Sequence, residues 1–286
     1  MRVVRVLVTY FSGTGNTEYA ARYLVGRVLS TAGERGVGLE VERRPVETLD
    51  PHELARADLP VVGFPVFELR APLVVREFLE AAPAAPSGAA GAFLFCTKGF
   101  AAGNALRRTF KPLKERGYSY LGGASVKMPG SDGLALSKPG SRFVKRALER
   151  DYDEIPELDS LAEEVVDAAG ALAAGAGLDE LAKRPPFSVL DLLFGWTFHL
   201  LYKVLERSLR GKFHAEEDAC TRCRTCERVC PVGAVSVDED GVHFGQSCVL
   251  CLRCLHQCPA EAVQVGKWTK GKFRWKGPKG DFKPLG

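Results

Sequence analysis

The sequence predicts an α/β chain in two parts: a doubly wound parallel sheet, then a small cysteine-rich α+β domain. Three observations lead there. Strand-length apolar runs alternate with helical spacing in units of about 30 residues through the first 178 positions. A glycine turn, Ser12-Gly13-Thr14-Gly15-Asn16-Thr17, directly follows the first apolar run. Eight of the nine cysteines lie between positions 220 and 258, in two copies of one spacing.

Taken in order, 3–10 (V-V-R-V-L-V-T-Y) reads as a strand buried on both faces. Residues 17–29 carry apolar side chains at Tyr19, Ala20, Tyr23, Leu24 and Val28, a helical period. Strands are expected at 39–46 and 59–64, then a helix at 72–81 with proline in its first turn. An Ala/Pro/Gly connection at 83–91 leads to a strand at 92–96, a helix at 103–116, a strand at 118–128 and a helix at 156–174. Pro185-Pro186 breaks the chain before an apolar helix at 188–209. That helix reads first as a connector packed on either domain, with a membrane-surface helix as the sharper alternative. The division expected is 1–178, a connector at 179–212, the cysteine domain at 213–266 and a basic tail at 267–286.

Composition is ordinary for a water-exposed globular protein, 46% hydrophobic and 26% charged. The net charge of +4 is unevenly spread. Residues 213–266 carry four Arg against eight Asp and Glu, while 267–286 carry seven Lys and Arg against one Asp. The tail therefore reads as lying over its own acidic neighbour or docking an acidic partner. Nucleic acid binding, suggested by Trp268, Phe273 and Trp275 among the bases, is not expected. The N-terminal apolar run leads straight into the glycine turn, which reads as a strand and not a secretory leader. No transmembrane segment is expected; the nearest approach, 192–202, is too short to span.

The cysteine runs are Cys220, Cys223, Cys226, Cys230 with Pro231, and Cys248, Cys251, Cys254, Cys258 with Pro259. Each is C-x2-C-x2-C-x3-C-P, the bacterial ferredoxin spacing, in which the fourth cysteine ligates the other cluster. The expected ligand sets are Cys220, Cys223, Cys226 and Cys258 for one [4Fe-4S] cluster, and Cys248, Cys251, Cys254 and Cys230 for the second. Zinc needs neither the third cysteine nor the trailing proline. The likeness extends past the thiols: C-P-V-G-A-V-S-V at 230–237 matches C-P-A-E-A-V-Q-V at 258–265, offset by 28 residues. Reduced thiols imply a cytoplasmic setting.

The glycine turn lies outside the carboxyl end of a strand, where doubly wound sheets bind ligands. Its backbone N–H groups, the hydroxyls of Ser12, Thr14 and Thr17, the Asn16 amide and the following helix's dipole suit a phosphate monoester. It is neither a Walker loop nor G-x-G-x-x-G. Y-F-S-G-T-G-N-T resembles the FMN-phosphate loop of flavodoxins. That resemblance makes Pro65, Val66 and Phe67 after the third strand, and Thr97, Lys98, Gly99 and Phe100 after the fourth, candidate flavin contacts. Phe67 and Phe100 are the candidates for the ring itself, and Lys98 for a positive charge beside it. Cys96, the ninth cysteine, reads as an inert core residue.

The order of these parts, with pieces such as G-F-P-V-F, G-N-A-L and V-K-M-P-G, resembles a group of fused flavodoxin–ferredoxin proteins over nearly the whole chain. The resemblance implies FMN and two [4Fe-4S] clusters. It also implies an electron-transfer iron–sulfur flavoprotein that relays electrons to or from a redox partner protein. An electron carrier is expected before an enzyme. The alternative is a flavin-dependent reductase of a small organic substrate fed by the clusters. A homodimer stays open. The chain departs from the family in two places: Phe67 stands where flavodoxins often have Tyr or Trp, and the P-G-S-D-G-L stretch after Met128 matches no flavin contact.

Overall fold

The computed structural model describes residues 2–86 and 90–284, without the side chains of Phe194, Trp196 and Phe198. The chain divides into two compact units. One holds residues up to Ser12, then Thr17–Met128 and Asp153–Leu193; the other holds Gly13–Asn16, Pro129–Tyr152 and the chain from Phe194 onward.

In the first unit, β1 (Val4–Tyr10), β2 (Leu39–Pro45), β3 (Leu59–Pro65), β4 (Gly91–Lys98) and β5 (Ser119–Lys127) form one sheet in the order β2-β1-β3-β4-β5. Every neighbouring pair is parallel. This is the flavodoxin-like doubly wound order. The three central strands are apolar over most of their length, with Arg5 of β1 the exposed exception, because the helices cover both sheet faces. Val4, Val8, Leu59, Val61, Val62, Phe64, Leu94, Phe95 and Cys96 have no exposed surface. Strand β2 is an edge, half-buried and charged at Glu40, Glu42, Arg43 and Arg44, which discourages further pairing.

Helix α1 (Asn16–Arg35) follows the glycine turn, α2 (Leu73–Glu80) follows β3, and α3 (Ala105–Glu115) follows β4. Two short helices, α4 (Ser131–Leu136) and α5 (Arg142–Leu148), come after β5, and α6 (Pro156–Ala173) follows them. Pro72, expected in the first turn of the 72–81 helix, is the residue that caps α2, while α6 has proline in its first turn. The expected strands and longer helices are all present, with ends displaced by a few residues. The largest displacement is α1, which runs six residues past the expected end at 29.

Helix α7 (Val189–Arg210) begins in a polar lock. Asn104 exchanges two hydrogen bonds with Ser188: Nδ2 donates to the Ser188 carbonyl at 2.9 Å and Oδ1 accepts from the Ser188 N–H at 2.6 Å. Asp191 Oδ2 accepts from the Asn104 N–H at 2.8 Å and pairs with Arg108 at 3.2 Å. Asp191 thus lies buried at the N-terminus of α3, where a negative charge is favoured.

The second unit has two antiparallel pairs. Strand β6 (Phe213–Ala215) pairs with β9 (Val263–Val265), and β7 (Val235–Val237) with β8 (Val242–Phe244). Two single-turn helices, α8 (Thr225–Arg228) and α9 (Arg253–Gln257), lie between strands. Their core joins Phe213, Val235, Val237, Leu255, Val263 and Val265 with Cys226, Cys254 and, from α4, Ala135.

Replacing Asp191 with alanine removes the carboxylate from a buried N–H and a guanidinium. We expect a loss of about 3 kcal/mol in urea unfolding, with Asp191→Asn losing less because its amide oxygen still accepts from Asn104.

Candidate functional site

The cysteine half is built twice. Arg222 and Leu250 both have φ 52°, and Arg224 and Leu252 both have φ 58°. These left-handed residues flank the second cysteine of each run. They turn the chain so that thiols two residues apart face one point. The likeness continues at Gly233 (φ 59°) and Glu261 (φ 50°), again 28 residues apart.

Two cavities result. Cys220, Cys223, Cys226 and Cys258 line one, with Val237, Val242 and Val263 completing its wall. Cys230, Cys248, Cys251 and Cys254 line the other, with Phe213, Val235 and Leu252. Each takes three cysteines from one run and the fourth from the other. All nine cysteines are free thiols. Among the described residues no three His, Cys, Asp or Glu groups converge as they would round a single ion. Thiols arrayed round an apolar void fit a cluster with several metal atoms.

The two cavities differ in surroundings. Cys223 is exposed, and its hydrogen bond with Thr225 holds its thiol below the usual range. Burial pushes the Cys226 and Cys251 thiols up to about 11 and Cys254 well above its usual value. The Ala234 N–H donates to Cys230 Sγ at 3.1 Å. Arg222, Arg224 and Arg228 bond to the carbonyls of Glu239, Val237 and Cys223, which fixes three cations around the first run. Arg253 is buried and bonds to the Val229 carbonyl, with its charge beside Cys251.

In the first unit, the loops leaving β1, β3 and β4 are tied together. Thr17 and Thr97 share a hydroxyl hydrogen bond at 2.8 Å, and the Val66 N–H donates to the Thr97 carbonyl at 2.8 Å. Ser12, Thr17 and Thr97 are buried here, and Thr14 and Asn16 are buried in the second unit. Phe67 and Arg70 exchange backbone hydrogen bonds across a turn whose centre, Glu68 and Leu69, has positive φ without glycine. Such strain collects at functional loops. Pro65, Val66, Phe67 and Lys98 are half-buried, while Gly99 and Phe100 are exposed, Phe100 to 96%. Cys96 is fully buried beside Ser125, and burial pushes its thiol up to about 11.

Within the second unit, Gly13–Asn16 is enclosed by the C-terminal segment. Asn16 Nδ2 donates to the Pro129 carbonyl at 2.8 Å, and Asn16 Oδ1 accepts from Trp275 Nε1 at 2.8 Å. Gly15 has φ 100°, and a Cβ there would lie 2.7 Å from both Gly277 Cα and Phe282 Cβ. A Cβ on Gly13 would lie 2.7 Å from the Cys251 carbonyl oxygen. Both positions therefore admit only glycine, because the chain's own residues 251, 277 and 282 approach them this closely.

The sequence reading passed over the residues that hold this arrangement. The Trp275 N–H donates to His256 Nδ1 at 2.9 Å, so the His256 proton is on Nε2, which donates to the Ser131 carbonyl at 3.2 Å. Burial lowers the His256 pKa to about 3 and keeps the ring neutral. Gln257 Nε2 donates to the Phe282 carbonyl, and Lys270 pairs with Glu216 at 2.8 Å. The aromatic–basic composition of the tail was the available signal; which aromatic turns inward is set by packing. Trp275 is 1% exposed and Trp268 49%. We expect Trp275→Phe, which keeps an aromatic ring but deletes the indole donor and part of the buried volume, to lower stability by about 1–3 kcal/mol in urea unfolding, because Asn16 Oδ1 is left buried and unpaired.

A family profile described as "4Fe-4S binding domain" matches residues 212–235, which hold all four cysteines of the first run. A chloroplastic protein of Nephroselmis olivacea named NAD(P)H-quinone oxidoreductase subunit I is 32% identical over 93 residues, 31% of this chain and 48% of that protein. The chain thus spans about half the length of the curated relative it matches. Among solved structures, a flavodoxin from the domain Archaea is 16% identical, with a TM-score of 0.40, over 58% of this chain and 99% of its own. The Megasphaera elsdenii flavodoxin is 20% identical, with a TM-score of 0.41, over 57% of this chain and 98% of its own. Strand order in the first part and the 4Fe-4S match in the second give the chain a fused flavodoxin–ferredoxin architecture.

Proposed function

We propose that the protein is an electron carrier: an iron–sulfur flavoprotein relaying electrons between two [4Fe-4S] clusters and FMN. The observation that carries this reading is the pair of cavities, each lined by four cysteines drawn from both runs. Cys220, Cys223, Cys226 and Cys258 would hold one cluster, and Cys248, Cys251, Cys254 and Cys230 the other. Ser12, Gly13, Thr14, Gly15, Asn16 and Thr17 would hold the FMN phosphate. Pro65, Val66, Phe67, Thr97, Lys98, Gly99 and Phe100 would border its ring. When bound, the clusters supply single-electron chemistry and FMN takes one or two electrons.

The chain's own residues suggest an order. Exposed Cys223 puts the first ligand set at the surface, where a redox partner protein can approach. Cys251 and Cys254 of the second set are buried, and the Cys251 carbonyl lies against Gly13. The second set is therefore the inner neighbour of the glycine turn. Joining the sites in one chain replaces diffusional encounter with a fixed effective concentration. The functional division is 1–178 for flavin, 179–212 as connector, 213–266 for clusters and 267–286 as tail. A reducing cytoplasm suits the thiols.

Anaerobic reconstitution with iron, sulfide and FMN, followed by a redox titration, tests this. About eight irons and one flavin per chain should titrate as separate centres. Iron without flavin would overturn the relay. Cysteine-to-serine variants then test the crossing: Cys258→Ser should resemble Cys223→Ser by EPR, and Cys230→Ser should resemble Cys251→Ser. The variant Thr14→Val should bind FMN up to about tenfold more weakly while riboflavin binding stays unchanged, because it deletes a hydroxyl that this reading gives to the phosphate alone.

A further inference from the structure

Helix α7 presents a long apolar face to solvent. Leu190, Leu193, Leu200, Leu201 and Val204 are each more than half exposed, and Leu205 is 51% exposed. Positions 190, 193, 197, 200, 201 and 204 recur at three and four residues, so they share one face. Asp191 and Gly195 are buried on the opposite side. Phe187 and Val189, just before the helix and at its start, are also more than half exposed. A patch of this extent on a water-exposed protein marks an interaction surface.

The charges on α7 say which surface it suits. Lys203 and Arg207 are exposed and stand three residues after Leu200 and Val204, at the edge of the apolar face. Neither acidic residue of α7 is exposed. Asp191 is buried against Arg108, and the Glu206 carboxylate is bonded to Arg210. Among the described residues the outward side is therefore mainly apolar, with Thr197 and Ser208 its uncharged polar members and Lys203 and Arg207 its exposed charges. Among the described residues no helix is long and apolar enough to cross a membrane. A second copy of α7 on this face would offer no exposed acid on the helix to meet Lys203 and Arg207.

We propose that α7 is an in-plane membrane-surface helix, seating Leu190, Leu193, Leu200, Leu201 and Val204 in the headgroup boundary of an anionic bilayer with Lys203 and Arg207 on its phosphates. This geometry, an apolar face rimmed by cations, binds by buried area plus attraction to anionic lipid. It is independent of the cofactor assignment.

Flotation of the full-length, cluster-loaded protein tests it. The probes are phosphatidylcholine vesicles with and without phosphatidylglycerol. The protein should float with the anionic vesicles at low salt and lose most of that binding at high salt. Leu201→Glu with Val204→Glu should abolish flotation, and Lys203→Gln or Arg207→Gln should each weaken it about fivefold. All of these variants should keep the wild-type cluster absorbance. Absence of flotation with anionic vesicles would overturn the proposal, as would flotation that survives the double glutamate variant. A stable dimer by light scattering that Leu201→Glu dissociates would overturn it in favour of a second copy.

Discussion

Neither copy of the cysteine repeat can close a site alone. Each cavity takes its fourth thiol from the other run, so the two halves must fold around one another before either set is complete. The backbone obeys this constraint throughout. The same left-handed pair recurs at 222, 224 and at 250, 252 because a chain placing thiols two residues apart on one void has few other ways to turn. Cys226 and Cys254 belong to the unit's apolar core, among only a handful of aliphatic side chains. A core this small is ordinarily completed by what its cavities hold.

How much of this was legible depended on how local the cause was. The central strands were readable because burial on both faces demands continuous apolar sequence, as in Leu59–Pro65. The cysteine spacing was readable because ligand geometry acts over two or three residues. The end of α1 was not, since its last turn carries exposed Gly33, Glu34 and Arg35 and no apolar period. Helices α4 and α5 were invisible for a different reason. Their positions depend on distant partners: Ala135 packs into the cysteine-domain core, and the Ser131 carbonyl accepts from His256, 125 residues away.

The C-terminal segment shows how composition can point two ways. Bases interleaved with tryptophan and phenylalanine suit stacking on nucleic acid, and they equally suit a segment folded over an acidic domain. Burial decides. Trp275 spends both of its N–H groups on protein acceptors, His256 and Asn16, and Lys270 reaches Glu216. Lys212 lies over the Trp268 ring, so even the exposed indole has its cation from within the chain.

Asn16 carries the argument one step further. Its amide reads from sequence as one more donor to a phosphate, yet its nitrogen is committed to Pro129 and its oxygen to Trp275. Residues 113 positions and 259 positions away thus fix the side chain at the first turn of α1. Asn16 therefore shapes the turn, and in the proposed flavin site donation to an anion would fall to the backbone N–H groups and the neighbouring hydroxyls. A loop held in this way owes its conformation to the C-terminal segment as much as to its glycines. The same segment, through His256 and Gln257, grips the helix between Cys254 and Cys258. Glycine turn and second cysteine run are in this way clamped by one strap, and a change in the strap would be felt at both.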